Sequence, residues 1–546
     1  MIIQRILSVI VTSLLLLHTT VVLGQSNYPS NVELRQRLEA LAGKSSEASL
    51  QSLTKTTAGN DVWALTLARG NTDEKPAVAV VGGVAGNHLL GVELALRFAE
   101  DVLANNKDIL DHTTFYIFPN MSPDATAQYF ARLKYDRTAN ARPTDDDRDG
   151  ETNEDPFEDL DGNGVITMIR VEDATGDYIS HPADERVMIK ADRSKGEKGR
   201  YKIYTEGIDN DGDYKWNEDG PGGISFNKNM SYRFPYFESG AGEHAVSEVE
   251  NRALLDFMYT KWNIYAIVSF GPQNNLSAPL KYNKAGTSKR VITSILKEDA
   301  SVNSLLSEKY NEITSFSDGK PDTGSGGDFF QWAYFHFGKL SLSTPGWWVP
   351  MMKIDKDDSV TVPNKDKNAE VNFLRWAEQE ALSNYFTEWK KIDHPDFVGK
   401  TVEVGGIHPY VMTNPPYKSV NDISQKNNRF LYELAAMQQA VKIVNVTTKP
   451  AGNQLTRITA EIYNDGVLPT HTAMGDKSRW LRKVKVSLIT DGDQQILSGK
   501  KITLIDKIEG DQSVKYSWLI KGKGSITIEA GAPHTGTDQI NVALNK

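Results

Sequence analysis

Five apolar residues in a row, Ala77 to Val81, close on Gly82 and Gly83, and a run of that length ended by glycine predicts a short strand buried on both faces. After it, Leu89, Leu90, Val92, Leu94, Ala95, Phe98, Ala99 and Val102 recur at intervals of three and four, the spacing of one helix face. Two more buried-strand patterns follow: Thr114 to Phe118, ending at Pro119 and Asn120, and Ile264 to Phe270, ending at Gly271 and Pro272. A helical pattern from Val246 to Tyr259 stands just before the last of them. Strands interleaved with helices predict an α/β sheet with a parallel component.

Between Asn140 and Gly223 the periodicity gives way to Asp, Asn and Gly, which is loop chemistry. Helical spacing returns around Ser288 to Leu296, Ser304 to Ile313 and Asn372 to Trp389, and again at Arg429 to Ala440. Beyond that, short alternating stretches separated by turn residues (Val441 to Val446, Arg457 to Tyr463, Val484 to Ile489, Tyr516 to Ile520, Ser525 to Ala530) predict an antiparallel β-sandwich. The expected organisation is an α/β domain at 25–395 with an acidic insertion at 140–223, a connecting segment at 396–440, and the sandwich at 441–546.

The first residues are set apart. Arg5, the apolar run Ile6 to Leu17, and Val22, Leu23 and Gly24 resemble the charged region, apolar region and cleavage site of a signal peptide. Residues 1–24 are therefore excluded from the fold, and the mature chain is expected to be secreted or periplasmic. The run is short for a bilayer, which needs about 20 residues, so no membrane span is expected in the mature chain.

At 546 residues the chain is too long for one core. It has no cysteine, which removes disulfides, thiolate metal sites and cysteine nucleophiles together. A net charge of −10 argues against nucleic acid or an anionic membrane as partner. Gly-x-Ser-x-Gly, Walker and His-Glu-x-x-His signatures are absent from the sequence.

The acid is unevenly placed. Asp145, Asp147 and Asp149 alternate before Gly150, followed by Asn153, Glu154 and Asp155. Asp159, Asp161, Asn163, Gly164 and Ile166 match the start of an EF-hand-type loop, with Arg170 where the closing Glu belongs, and Asp209, Asp211, Asp213, Asn217, Glu218 and Asp219 repeat the idea. Hard oxygen donors at alternate positions on a turning backbone suit calcium, which takes six to eight of them. One such stretch reads as a solvated loop; three with matching spacing point to structural calcium that orders the insertion.

Val80 to Leu94 (VVGGVAGNHLLGVEL) resembles the first zinc motif of the carboxypeptidase A-like zinc peptidases, where a strand ends in Gly-Gly-x-His-Gly-x-Glu. Asn120 to Ala125 (NMSPDA) is similar to the family's Asn-Pro-Asp-Gly turn. Phe226 to Pro235 (FNKNMSYRFP), with Ser247, Glu248, Glu250, Arg252 and Ala253, resembles its Asp-Leu-Asn-Arg-Asn-Phe-Pro and Ser-Glu-x-Glu-x-Arg-Ala segments. Ser269 to Leu276 (SFGPQNNL) looks like the strand end carrying the third ligand, a histidine, and Gly338 to Trp348 (GKLSLSTPGWW) like the one presenting the catalytic Glu.

The resemblance implies a three-layer mixed sheet with helices on both faces, and a zinc held by two His and one Glu with a second Glu as general base. Here Ala85 stands at the first His position, His88 at the Glu position and Phe270 at the third; the base falls near Pro345 or Gly346, and no Glu occurs from Gly319 to Ala369. The Asn-Arg pair that grips a substrate carboxylate becomes Asn227 and Lys228, which keeps the charge and loses the bidentate fork. The chain is thus read as a non-catalytic relative, with zinc absent, that retains a cleft for a peptide or other small ligand.

Two rivals remain open: a working metallocarboxypeptidase with an unorthodox site, such as His88 with His336 and a carboxylate, and a structural or adhesion module whose former cleft is filled by Phe270 and Trp347. His336, among Trp332, Tyr334, Phe335 and Phe337, reads as a core histidine. Most of the aromatic cluster from Phe329 to Trp348 reads as core, with a subset facing a ligand.

Overall fold

The computed structural model describes residues 27–146, 150–212, 214–217, 220, 222–316, 319–352 and 368–544. Residues 1–24, expected from the sequence to be a signal peptide, and the calcium candidates Asp147, Asp149 and Asp213, with Glu218 and Asp219, lie outside the described residues.

The apolar runs become the centre of a six-stranded mixed sheet. Its strands are β1 (Ala48–Lys55), β2 (Asp61–Leu67), β3 (Ala77–Val81), β4 (Thr114–Phe118), β9 (Ile264–Phe270) and β10 (Leu340–Thr344). They lie in the order β1-β2-β4-β3-β9-β10, with β4, β3, β9 and β10 parallel and β1 and β2 antiparallel. Every residue of β3, β4, β9 and β10 is buried, because helices cover both faces. Val78 and Val80 point to the helices Asn31–Lys44, Leu89–Asn105, Lys297–Thr314 and Val420–Ala436; Ala77, Ala79 and Val81 point to the helices Val249–Thr260 and Phe329–Phe335.

The insertion is not only loop. It contributes β5 (Met168–Glu172), β6 (Tyr178–His181), β7 (Asp184–Lys190) and β8 (Tyr201–Thr205) to a second, antiparallel sheet. With β11 (Phe386–Ile392) and β12 (Val402–Ile407) the order is β11-β12-β5-β8-β6-β7. Ile169, Val171, Phe397, Val402 and Val404 form its own small core. Acidic turns dilute the alternation of these short strands, and half of their apolar partners arrive far along the chain.

Two helical patterns also resolve differently. The Asn372–Trp389 pattern divides into a helix, Ala369–Gln379, and strand β11. Residues 288–296 form no helix; Ile292, Ile295 and Leu296 pack irregularly against Leu280, Tyr334 and Met474, and the helix starts at Lys297. Segment 396–440 does more than connect: it supplies β12, and its Val420–Ala436 helix buries Val420, Ile423, Phe430, Leu431 and Leu434 in the first core.

The C-terminal region is two four-stranded antiparallel sheets. One runs β13 (Val441–Gly452), β14 (Leu455–Asn464), β18 (Gln512–Lys521), β16 (Gln495–Ser498). The other runs β17 (Ile502–Leu504), β15 (Lys485–Ile489), β19 (Ser525–Ala532), β20 (Gly536–Ala543). Ile458, Ile462, Val486, Trp518, Ile520 and Ile528 fill the space between them. Among the described residues no helix is long and apolar enough to cross a membrane.

Candidate functional site

Parallel pairing sets the carboxyl ends of β3, β9 and β10 side by side, with Val81 opposite Ser269 and Phe270 opposite Thr344. Ligand sites of open α/β sheets form at such ends. The turn after β3 needs glycine: a Cβ on Gly82 would lie 2.4 Å from the carbonyl oxygens of Gly91 and Pro119. That close packing brings Ala85 and His88 to the strand ends and starts the Leu89–Asn105 helix at His88.

His88 is 4% exposed, and its Nε2 lies 3.0 Å from the Pro345 carbonyl oxygen. An imidazole nitrogen facing a carbonyl can donate to it, and Nδ1, on the side of the Phe270 backbone, makes no well-formed hydrogen bond among the described residues. Gly91 makes the room, since a Cβ there would stand 2.7 Å from Nδ1. Burial pushes the His88 pKa down to about 4, which keeps the ring neutral. Phe270 is 1% exposed and its side chain belongs to the core below. Gly346 is buried, with its N–H donating to Thr344 Oγ1 at 3.0 Å.

Above these positions lies an open cleft of about 680 Å³. Ala85, His88 and Pro345 line its floor, Trp347 and Trp348 one wall, and Asn227 and Lys228 another part of it. The cleft is therefore not filled by Phe270 and Trp347. Asn227 is used internally: Oδ1 accepts from the Phe329 N–H at 3.0 Å and Nδ2 donates to Gln273 Oε1 at 3.2 Å. Lys228 Nζ donates to the Ser239 carbonyl at 3.1 Å.

Of the aromatic cluster, Phe329, Phe330, Trp332, Tyr334 and Phe337 are core, and Trp347 and Trp348 face the cleft. His336 is exposed rather than in the core, pairs through Nδ1 with Ser231 Oγ at 2.9 Å, and does not line the cleft. Sequence reading passed over Thr138, Gln273, Asp322, Met412 and Thr413, which join the lining from distant loops. Met412 and Thr413 also border a groove of about 380 Å³ over the second sheet, beside Tyr178 and Trp389.

Acidic residues gather at one end of the central strands β5 and β8 of that second sheet. Asp159, Asp161 and Glu206 bring carboxylate oxygens within 4.8 Å of one another. Glu206 was not among the sequence candidates. Pairing of β5 with β8 places it there, and its fully buried carboxylate accepts from the Leu160 and Thr167 N–H groups at 2.8 Å each. Burial raises its pKa.

Arg170, at the EF-hand closing position, instead pairs with Glu403 at 2.8 Å and stacks on Trp389, so it does not face this cluster. Asn163 turns outward, donating to Thr387 Oγ1. Asp145 Oδ2 accepts from Gly150, and Asp209 accepts from Gly212 and Tyr214. Asp211 is described but is not part of the three-carboxylate group. The first and third loops meet at Asp155, fully buried, which accepts from the Asn210 and Asn217 N–H groups.

The family model for zinc carboxypeptidase matches residues 34–344, more than half of the chain. The chain belongs to the zinc carboxypeptidase family. Residues 440–543 match a second model, described as a domain of unknown function.

Among solved structures, the chain is similar to thrombin-activatable fibrinolysis inhibitor, at 11% identity and a TM-score of 0.41, over 75% of this chain and 74% of that one. The bovine form of that protein, in complex with tick carboxypeptidase inhibitor, aligns at 11% identity and a TM-score of 0.38, over 75% of this chain and 97% of that one. Carboxypeptidase A from Helicoverpa armigera aligns at 14% identity and a TM-score of 0.36, over 58% of this chain and 64% of that one. No curated protein matches the chain.

Proposed function

We propose that this zinc carboxypeptidase family member is an exported, non-catalytic binding protein whose cleft takes the carboxyl end of a peptide or a similar small carboxylate. The observation that carries this reading is the cleft floor, where His88 is hydrogen-bonded to Pro345 beneath an open cavity. Zinc, expected from the family, needs three protein donors and an open position. The lining offers one imidazole, His88, and one carboxylate, Asp322. Among the described residues, the group of three acidic or histidine side chains close enough to share an ion lies elsewhere, at Asp159, Asp161 and Glu206. Ala85 and Phe270 have no lone pair to give, so this donor set does not fit the family's zinc.

The ligand chemistry follows from the walls. Lys228 offers an ammonium for a carboxylate, and Trp347 and Trp348 offer faces for an apolar or aromatic side chain. Calcium at the acidic loops belongs to the same proposal, as an ion that orders the insertion. Elemental analysis of the mature protein, dialysed against trace zinc and calcium, tests it together with titration of short peptides. Calcium without zinc is expected, with peptide affinity reduced about tenfold in Lys228→Met. Stoichiometric zinc that disappears in His88→Ala, accompanied by peptide hydrolysis, would overturn the proposal.

A further inference from the structure

The sandwich and the α/β domain meet over a cavity of about 30 Å³, room for one or two water-sized guests. Lys339 from the turn before β10, His471 from the loop after β14, and His534 from the turn between β19 and β20 all line it. Each is nearly inaccessible, at 4%, 7% and 2% exposure.

Their polar atoms are under-satisfied. Lys339 Nζ makes no hydrogen bond or ion pair among the described residues, and its one recorded contact is with the Phe337 ring, 5.2 Å away. Neither ring nitrogen of His534 makes a well-formed hydrogen bond among the described residues, although the Thr470 backbone acts on the ring. His471 Nε2 faces Asp476 at 3.2 Å, and its Nδ1 faces Thr470 Oγ1 at 3.3 Å. The one carboxylate on the lining, Asp299, is already engaged by the Tyr334 hydroxyl and the Ala473 and Met474 N–H groups.

A buried ammonium with no counter-charge is costly, and a burial-lowered pKa of about 8 still leaves Lys339 mostly protonated at neutral pH. The small cavity beside it has donors on its walls and no free carboxylate. We propose that this cavity binds a single halide-sized anion, held by Lys339 and His534, that joins the sandwich to the α/β domain.

Bromide replacing chloride in crystals of the full chain gives a direct readout. An anomalous peak within hydrogen-bonding distance of Lys339 Nζ is expected; a water there, with no peak, would overturn the proposal. In solution, replacing gluconate by chloride at constant ionic strength should raise the melting temperature saturably by about 2 °C. Lys339→Met should abolish that rise. An equal rise in the variant, or none in the parent, would refute an anion at this site, and if the variant fails to fold the bromide experiment on the parent chain decides alone.

Discussion

Glu250 is 2% exposed, its Oε1 accepts from Asn140 Nδ2 at 2.7 Å, and its Oε2 has no hydrogen-bond partner among the described residues. Burial, helped by the neighbouring charges of Glu248 and Asp124, pushes its pKa up from 4.5 to about 7. The folded state therefore holds this proton more tightly than the unfolded chain does, so its contribution to stability declines as pH rises from about 4.5 to about 7. Glu250→Gln should flatten that part of the profile and gain roughly 1–3 kcal/mol at pH 8. Urea denaturation at pH 4.5, 6 and 8 checks this; an unchanged slope in the variant would exclude Glu250 as its source. Asp328, raised to about 7 by burial, leaves a residual slope of the same sign. Removing His88 by His88→Ala takes away the bond to Pro345 and opens a void, which should cost about 1–3 kcal/mol in the same assay.

A carboxylate cluster acquires its meaning from the strands that assemble it. β5 leads out of the loop carrying Asp159 and Asp161, and its antiparallel partner β8 ends beside Glu206, so three acidic groups converge that no local motif contains. Carboxylates at such separations repel unless a cation or proton intervenes. Calcium should therefore raise the melting temperature, and Glu206→Gln should weaken calcium binding about tenfold or more. Isothermal titration of both proteins measures this, and equal affinities would place any calcium in another loop. In the main sheet, β10 reads polar in sequence but is wholly buried, because Ser341 donates to the Phe330 carbonyl, Ser343 to the Ser269 carbonyl, and Thr344 pairs with the Tyr310 hydroxyl.

The two domains are joined by more than a peptide link. Trp480 stacks on Trp262 with centroids 4.6 Å apart, and the Arg482 guanidinium lies over the same Trp262 ring. Asp299 accepts from the Ala473 and Met474 N–H groups and the Tyr334 hydroxyl, all from a buried position, and burial raises its pKa. The domains should consequently unfold in one calorimetric transition. Asp299→Ala strands those donors, which should cost about 3 kcal/mol and separate the transition in two. A single transition at the parent temperature would show the contact to be energetically neutral.

Fully buried parallel strands leave unbroken apolar runs and antiparallel sandwich strands leave alternation, so β3, β4, β9, β14, β15 and β19 could be located from pattern alone. The motifs around Gly82 and Asn120 carried the family, because a tight strand-to-helix turn restricts which residues fit. The second sheet could not be read this way: its strands are short, its turns acidic, and β11 and β12 complete it from beyond the main domain's last strand. Which residues stand at positions 85, 88 and 270 is a property of the sequence. That the cleft stays open above them, that His88 turns to Pro345, and that Glu206 joins Asp159 and Asp161 were decided only by tertiary structure, since each depends on groups that meet through the pairing of strands distant along the chain.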